Sequence, residues 1–206
     1  MLLTVVALVI SVARAGAATS RPILTKAEYR QLLFAEKRIK TLTAGNDNPN
    51  FRRVDAICRR MRQVSPLITA VRAGCLELVR LGGDDARLNI AATKCGIDPP
   101  SETALLTCLI PSVRRYYEDA ERFYLAEVRV DRIARARGFS STCTAVIGDS
   151  PGNIRAEGRL AADLEATVTA LRHQNPDALQ SLSDRINRDV NSVTPGPTSL
   201  SLCPHE

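Results

Sequence analysis

Two long segments place apolar side chains at alternating steps of three and four, and that rhythm restricts the chain to a helical fold. The first runs Val54, Ile57, Met61, Val64, Ile68, Val71, Cys75, Leu78. The second runs Leu106, Leu109, Val113, Tyr116, Ala120, Phe123, Glu127, Val130, Ala134. At 3.6 residues per turn, such steps align on one helix face. A stripe of that kind is buried only when other helices cover it. No stretch alternates apolar and polar residues at a strand's period over a useful length, and no internal repeat is present. The expected fold is all-α, a disulfide-stapled helical bundle of about four main helices plus short ones.

The N-terminus carries a second signal. Leu2 to Ala13 is apolar, and Arg14 is followed by Ala15-Gly16-Ala17, the pattern of a signal-peptidase site with its cut before Ala18. A membrane anchor needs about twenty apolar residues, and Arg14 interrupts the run after about a dozen. The expected organisation is a signal peptide at 1–17 and a single helical-bundle domain at 18–206, with an irregular tail from about 194. No later segment has the length and apolarity to span a bilayer. The expected location is secreted or extracytoplasmic.

Six cysteines, Cys58, Cys75, Cys95, Cys108, Cys143 and Cys203, suit that location, since an even number in an exported chain reads as a disulfide framework. Zinc is the competing reading, but there is no Cys-x-x-Cys pair and the only histidines are His173 and His205.

Capping residues set the helix boundaries. Thr25 with Glu28 forms a capping box ahead of Leu32, Ala35, Ile39 and Leu42. Residues 45–50 are a turn-rich linker. The first stripe then spans a helix at 51–81, kinked at Pro66, or broken there with the proline opening a fresh helix. Gly82-Gly83 ends it, and Asp84 caps a short helix to Cys95. Ser101 caps a helix at 101–137 that contains Pro111. A helical turn at 139–148 holds Cys143, and helices follow at 153–173 and after Asn175-Pro176-Asp177.

Little catalytic chemistry accompanies this scaffold. Glu127 interrupts the second stripe, where a carboxylate must be paired, bonded or neutralised. With Tyr116, Phe123 and Tyr124 it forms the candidate ligand-binding set, for a pocket between the 51–81 and 101–137 helices. The bland alternative is an edge position or an ion pair with a neighbouring helix. Di-iron bundles need Glu-x-x-His on facing helices, and Glu118, Glu121 and Glu165 have no such histidine. Neither histidine sits in a recognisable setting for activating a nucleophile. Asp84-Asp85 lacks the further ligands of a calcium loop. No metal and no cofactor is expected.

The charge is +6, with 28 basic residues against 22 acidic ones. Arg52, Arg53, Arg59, Arg60 and Arg62 cluster on one helix, and Arg129, Arg132, Arg135 and Arg137 on another. Polyanion binding is the functional reading of such clusters, and a solvated basic face the plain one. Aromatic residues for stacking bases are scarce nearby, which disfavours nucleic acid.

Leu24-Thr25-Lys26-Ala27-Glu28-Tyr29, followed by Val54-Asp55-Ala56-Ile57-Cys58, resembles the opening of uncharacterised exported helical proteins of GC-rich Gram-positive bacteria. The resemblance implies an exported helical protein and carries over no functional residue. The expected function is non-catalytic binding of a partner in the envelope or extracellular space, either an envelope protein or an acidic polymer. The alternatives are a carrier of a small apolar ligand or lipid, and a secreted hydrolase without a legible site.

Antiparallel packing of the 51–81 and 101–137 helices leads to an expectation for the disulfides. Cys58 falls beside the Cys143 turn. Cys75 falls at the other end with Cys95 and Cys108. The expected links are Cys58–Cys143, Cys203 with Cys95 or Cys108, and Cys75 with the remaining one.

Overall fold

The structure is a computed structural model that describes residues 23–43, 51–97, 101–193 and 199–206. The expected signal peptide, the linker at 45–50 and the start of the tail lie outside them. Seven α-helices follow in chain order: α1 (Lys26–Thr43), α2 (Phe51–Arg60), α3 (Pro66–Gly96), α4 (Glu102–Ala136), α5 (Ser141–Ile147), α6 (Pro151–Arg172) and α7 (Pro176–Ser192), then a 3-10 turn at Leu200–Leu202. The fold is all-α, with no strand among the described residues.

Side-chain caps begin most of these helices. Thr25 and Glu28 cap each other reciprocally, at 3.0 and 3.3 Å. Ser65, Ser101, Ser140, Ser150 and Asn175 each accept the backbone N–H three residues on, and proline stands in the first turn of α3, α6 and α7.

The expected 51–81 helix is two helices. α2 stops at Arg60, and α3 starts anew at Pro66 with Ser65 as its cap. The proline ring forbids an interior helical bond but suits a first turn, and the serine supplies the missing acceptor. The second correction lies at Gly82-Gly83, which do not end a helix. α3 runs through them for 31 residues to Gly96 and absorbs the short helix expected after Asp84. Gly82 is small because the Phe51 ring of α2 rests directly on it, and a Cβ there would fall inside the ring. One glycine of a pair that looks like a stop is thus a contact surface.

α3 and α4 form a long antiparallel hairpin. Facing pairs step backward along one helix and forward along the other: Cys95 with Cys108, Asp84 with Arg115, Gly74 with Glu127. α6 packs on α4 and α7 on α6, while α1 and α2 pack against the start of α3. Two interhelical ion pairs, Arg159–Asp189 at 2.7 Å and Arg185–Asp163 at 2.9 Å, hold α7 to α6. One apolar core joins Leu24, Leu32, Ile57, Met61, Ile68, Val130, Phe139 and Leu200. A smaller one, at the other end of the hairpin, gathers Leu88, Leu106 and Leu109 around Val113, Val168 and Leu171. Both sequence stripes feed these cores, but Val64, in the break between helices, and Leu78 are exposed.

All six cysteines are paired, and none of the expected links occurs. The disulfides are Cys58–Cys75, Cys95–Cys108 and Cys143–Cys203. Each correction has one cause. The break between α2 and α3 folds Cys58 back onto Cys75, which a continuous helix forbids. Cys95 and Cys108 face each other across the mouth of the α3–α4 hairpin. That leaves Cys203 to Cys143, and the tail returns to α1. There the Leu24 N–H donates to Pro204 O at 2.8 Å, and the His205 ring stacks on Tyr29 with centroids 3.8 Å apart.

Candidate functional site: an arginine-lined cleft

Where α3 and α4 run side by side, arginines recur at helical spacing. Arg80 and Arg87 are seven apart on α3, and Arg115 and Arg122 are seven apart on α4. Seven residues are close to two turns, so each pair projects from one face. Antiparallel register sets Arg80 near Arg122 and Arg87 near Arg115. Together with Arg114 and with Arg172 from the end of α6, they line an open cleft of about 840 Å³. Val79, Gly83, Ile110 and Pro111 supply its apolar lining, Glu118 and Asp119 of α4 line it as well, and no aromatic residue contributes.

Buried carboxylates hold the guanidinium groups in place. Asp84 is 2 % exposed and accepts from Arg87 Nη1 and, at 3.1 Å, from Arg115 Nε. Asp119, also buried, accepts from Arg122 Nη1 at 3.0 Å. Glu77 takes Arg80 Nη1 on both oxygens, at 2.8 and 3.0 Å, and Glu118 takes Arg114 at 3.0 Å. Arg172 has no ion-pair partner among the described residues.

Asp84 and Asp119 also act on each other. Burial pushes the Asp84 carboxyl up, but the bonds from Asp119 and Arg87 and the charges of Arg115 and Arg87 outweigh it and hold it below the ordinary carboxylate range. Burial and the neighbouring Asp84 push Asp119 the other way, above that range. Two acids in contact do not readily both ionise, so this pair retains a proton longer than an isolated aspartate. Both carboxyls are occupied by arginines, Asp84 beneath them and Asp119 as part of the cleft lining. They orient guanidinium groups and do not present an acid–base pair to a bound molecule. Each of the five paired guanidinium groups reaches its carboxylate through a single nitrogen, which leaves its other donors for an anion in the cleft.

The sequence-predicted ligand set lies elsewhere. None of Glu127, Tyr116, Phe123 and Tyr124 lines the cleft. Tyr116 is half-buried near Asp85, and burial followed by that charge raises its hydroxyl above the usual value. Tyr124 packs its ring on Gly158 of α6. Glu127 lies three residues from Tyr124 but about 16 Å along the helix from Tyr116, so the four do not converge. Instead Glu127 is wedged beside Gly74 of α3 and Gly148 at the end of α5. Its neighbours are acidic. Burial, then the Asp149 charge, raises Glu127 to about 7, and burial with Asp149 and Glu127 raises Glu157 of α6 to about 8. One oxygen of each, Oε2, is buried with no hydrogen-bond partner among the described residues. No group of three acidic, cysteine or histidine side chains among the described residues has metal-holding geometry.

Of the arginines clustered in the sequence, three form ion pairs among the described residues. Arg59 pairs with Asp55, Arg135 with Asp131, and Arg137 with Glu28. Read from the sequence, a helix ends at Gly82-Gly83, and the cleft arginines do not stand out as a set. That break places Arg80 and Arg87 on different helices and hides their common face. The seven-residue spacing of Arg80 with Arg87 and of Arg115 with Arg122 was the available signal.

No protein-family model matches the chain, and comparison with characterised proteins and with solved structures yields no match either.

Proposed function

We propose that the protein is exported and acts outside the cytoplasm by binding an anionic partner in the α3–α4 cleft, without catalysis. One observation carries this reading: six arginines from three helices line a single open cleft over carboxylates that fix their orientation. Arginine forks match the geometry of phosphate and carboxylate oxygens, and several of them around one concave surface focus a positive potential. The volume falls within the range of ligand sites. Three disulfides and the signal-type N-terminus support export. No described helix is long and apolar enough to cross a membrane. The lining favours an anion over the apolar ligand of a carrier.

The test is charge reversal. Arg80→Glu with Arg122→Glu abolishes retention on an immobilised anionic polymer at about 0.1 M salt, where surface charges still act over roughly 10 Å. Arg132→Glu, an exposed change outside the cleft, leaves retention intact. Equal loss from both would reduce the effect to net charge.

A further inference from the structure

The cleft has an internal geometry that selects among anions. Arg80 and Arg122 form one cationic rung across the helix pair, and Arg87 and Arg115 form the next. Seven residues separate the rungs along either helix, which is about 10 Å. Gly83 lies between them on α3, and a Cβ there would meet nothing within 4 Å. On the α3 side the channel joining the rungs is therefore open, while Glu118 and Asp119 lie between the rungs on α4. Its far flank carries Arg172, with no protein carboxylate of its own among the described residues.

We propose that the ligand is a linear, phosphate-bearing chain that lies along the α3–α4 groove and contacts both arginine rungs at once. This rests on the anion-binding reading above. Three features support it. A single compact anion fills one rung and leaves the other, about 10 Å away, unused. A phosphate group offers more acceptor oxygens than a carboxylate, arranged tetrahedrally, so forks from opposite helices and from Arg172 can share one group. The absence of aromatic residues from the lining removes the stacking platform that nucleobases use, so the chain need carry no bases.

Calorimetric titration of the oxidised full-length chain with orthophosphate, long linear polyphosphate and oligoglutamate of matched charge tests this. Bridging predicts that polyphosphate binds at least about 100-fold more tightly than orthophosphate, through the second contact becoming intramolecular. Arg80→Gln with Arg122→Gln lowers polyphosphate affinity at least about tenfold and leaves a residual orthophosphate site at the other rung. Gly83→Leu, whose Cβ meets nothing within 4 Å, fills the channel between rungs, and so removes the advantage of the long chain while sparing orthophosphate. Equal affinity for orthophosphate and polyphosphate overturns the bridging geometry. So does a silent Gly83→Leu, and in both cases anion binding still stands. Equal affinity for oligoglutamate overturns the phosphate class. Failure of every anion to bind overturns this inference together with the reading it rests on.

Discussion

Arg137, just past the end of α4, reaches the carboxylate of Glu28 in the first turn of α1, with Nη1 to Oε1 at 2.5 Å and Nη2 to Oε2 at 3.0 Å. The same guanidinium donates to Ile23 O at 2.9 Å. Glu28 meanwhile accepts the Thr25 N–H, so one side chain caps a helix and anchors residues 109 positions away. Burial pushes the Glu28 carboxyl up, but the bonds from Arg137, Ser65 and the Thr25 backbone outweigh it and hold it below the ordinary value.

Arg137→Ala is expected to cost about 3 kcal/mol, the low end for a buried pair, because Glu28 is left buried with its charge uncompensated. Chemical denaturation at pH 7 measures it. A carboxyl depressed in the folded state contributes stability above its unfolded pKa and loses it as pH falls through the folded one. The gap between wild type and Arg137→Ala therefore narrows below about pH 4, near the unfolded value of a glutamate.

Glu127 and Glu157 have the opposite sign. Their folded values are raised to about 7 and about 8, so the native state is favoured where both are protonated, below the unfolded value. Their contribution is lost as pH rises toward 8. Glu127→Gln removes the charge at nearly constant shape. It should stabilise the protein at pH 8 by on the order of 1–2 kcal/mol and have little effect at pH 4. Melting curves across that interval check it, and a destabilised variant at pH 8 would show that an ionised Glu127 has a partner.

Neighbouring glycines of α3 should respond oppositely. Gly82→Ala puts a methyl into the Phe51 ring and forces α2 away, at about 1–3 kcal/mol. Gly83→Ala meets open space and gains helix propensity, up to about 1 kcal/mol of stabilisation. Thermal unfolding of the two variants separates contact from propensity.

Non-reducing peptide mapping should recover Cys58–Cys75, Cys95–Cys108 and Cys143–Cys203. The Cys58–Cys75 link closes a loop of 17 residues. Serine at both positions should cost about 3 kcal/mol in the chain-entropy picture. Recovery of Cys58–Cys143 would overturn the placement of Cys58 against Cys75.

The amino-acid sequence by itself determined the helical class, the reciprocal cap of Thr25 and Glu28, the caps at Ser101 and Asn175, and the turn that holds Cys143. Those features depend on residues three or four apart, where backbone geometry brings partners together without help from the rest of the chain. It also marked Glu127 as out of place, because one carboxylate breaks an apolar stripe. What tertiary structure decided is whatever joins distant segments. Gly82-Gly83 read as a helix stop because glycine ends helices in isolation, and only the Phe51 ring arriving from α2 explains why the helix continues. Pro66 allowed either a kink or a fresh start. The fresh start brought Cys58 to Cys75, and with it the whole disulfide pattern changed. The arginine cleft exists only once α3 is continuous and α4 lies antiparallel to it, since its two rungs join residues about 30 to 40 positions apart through space.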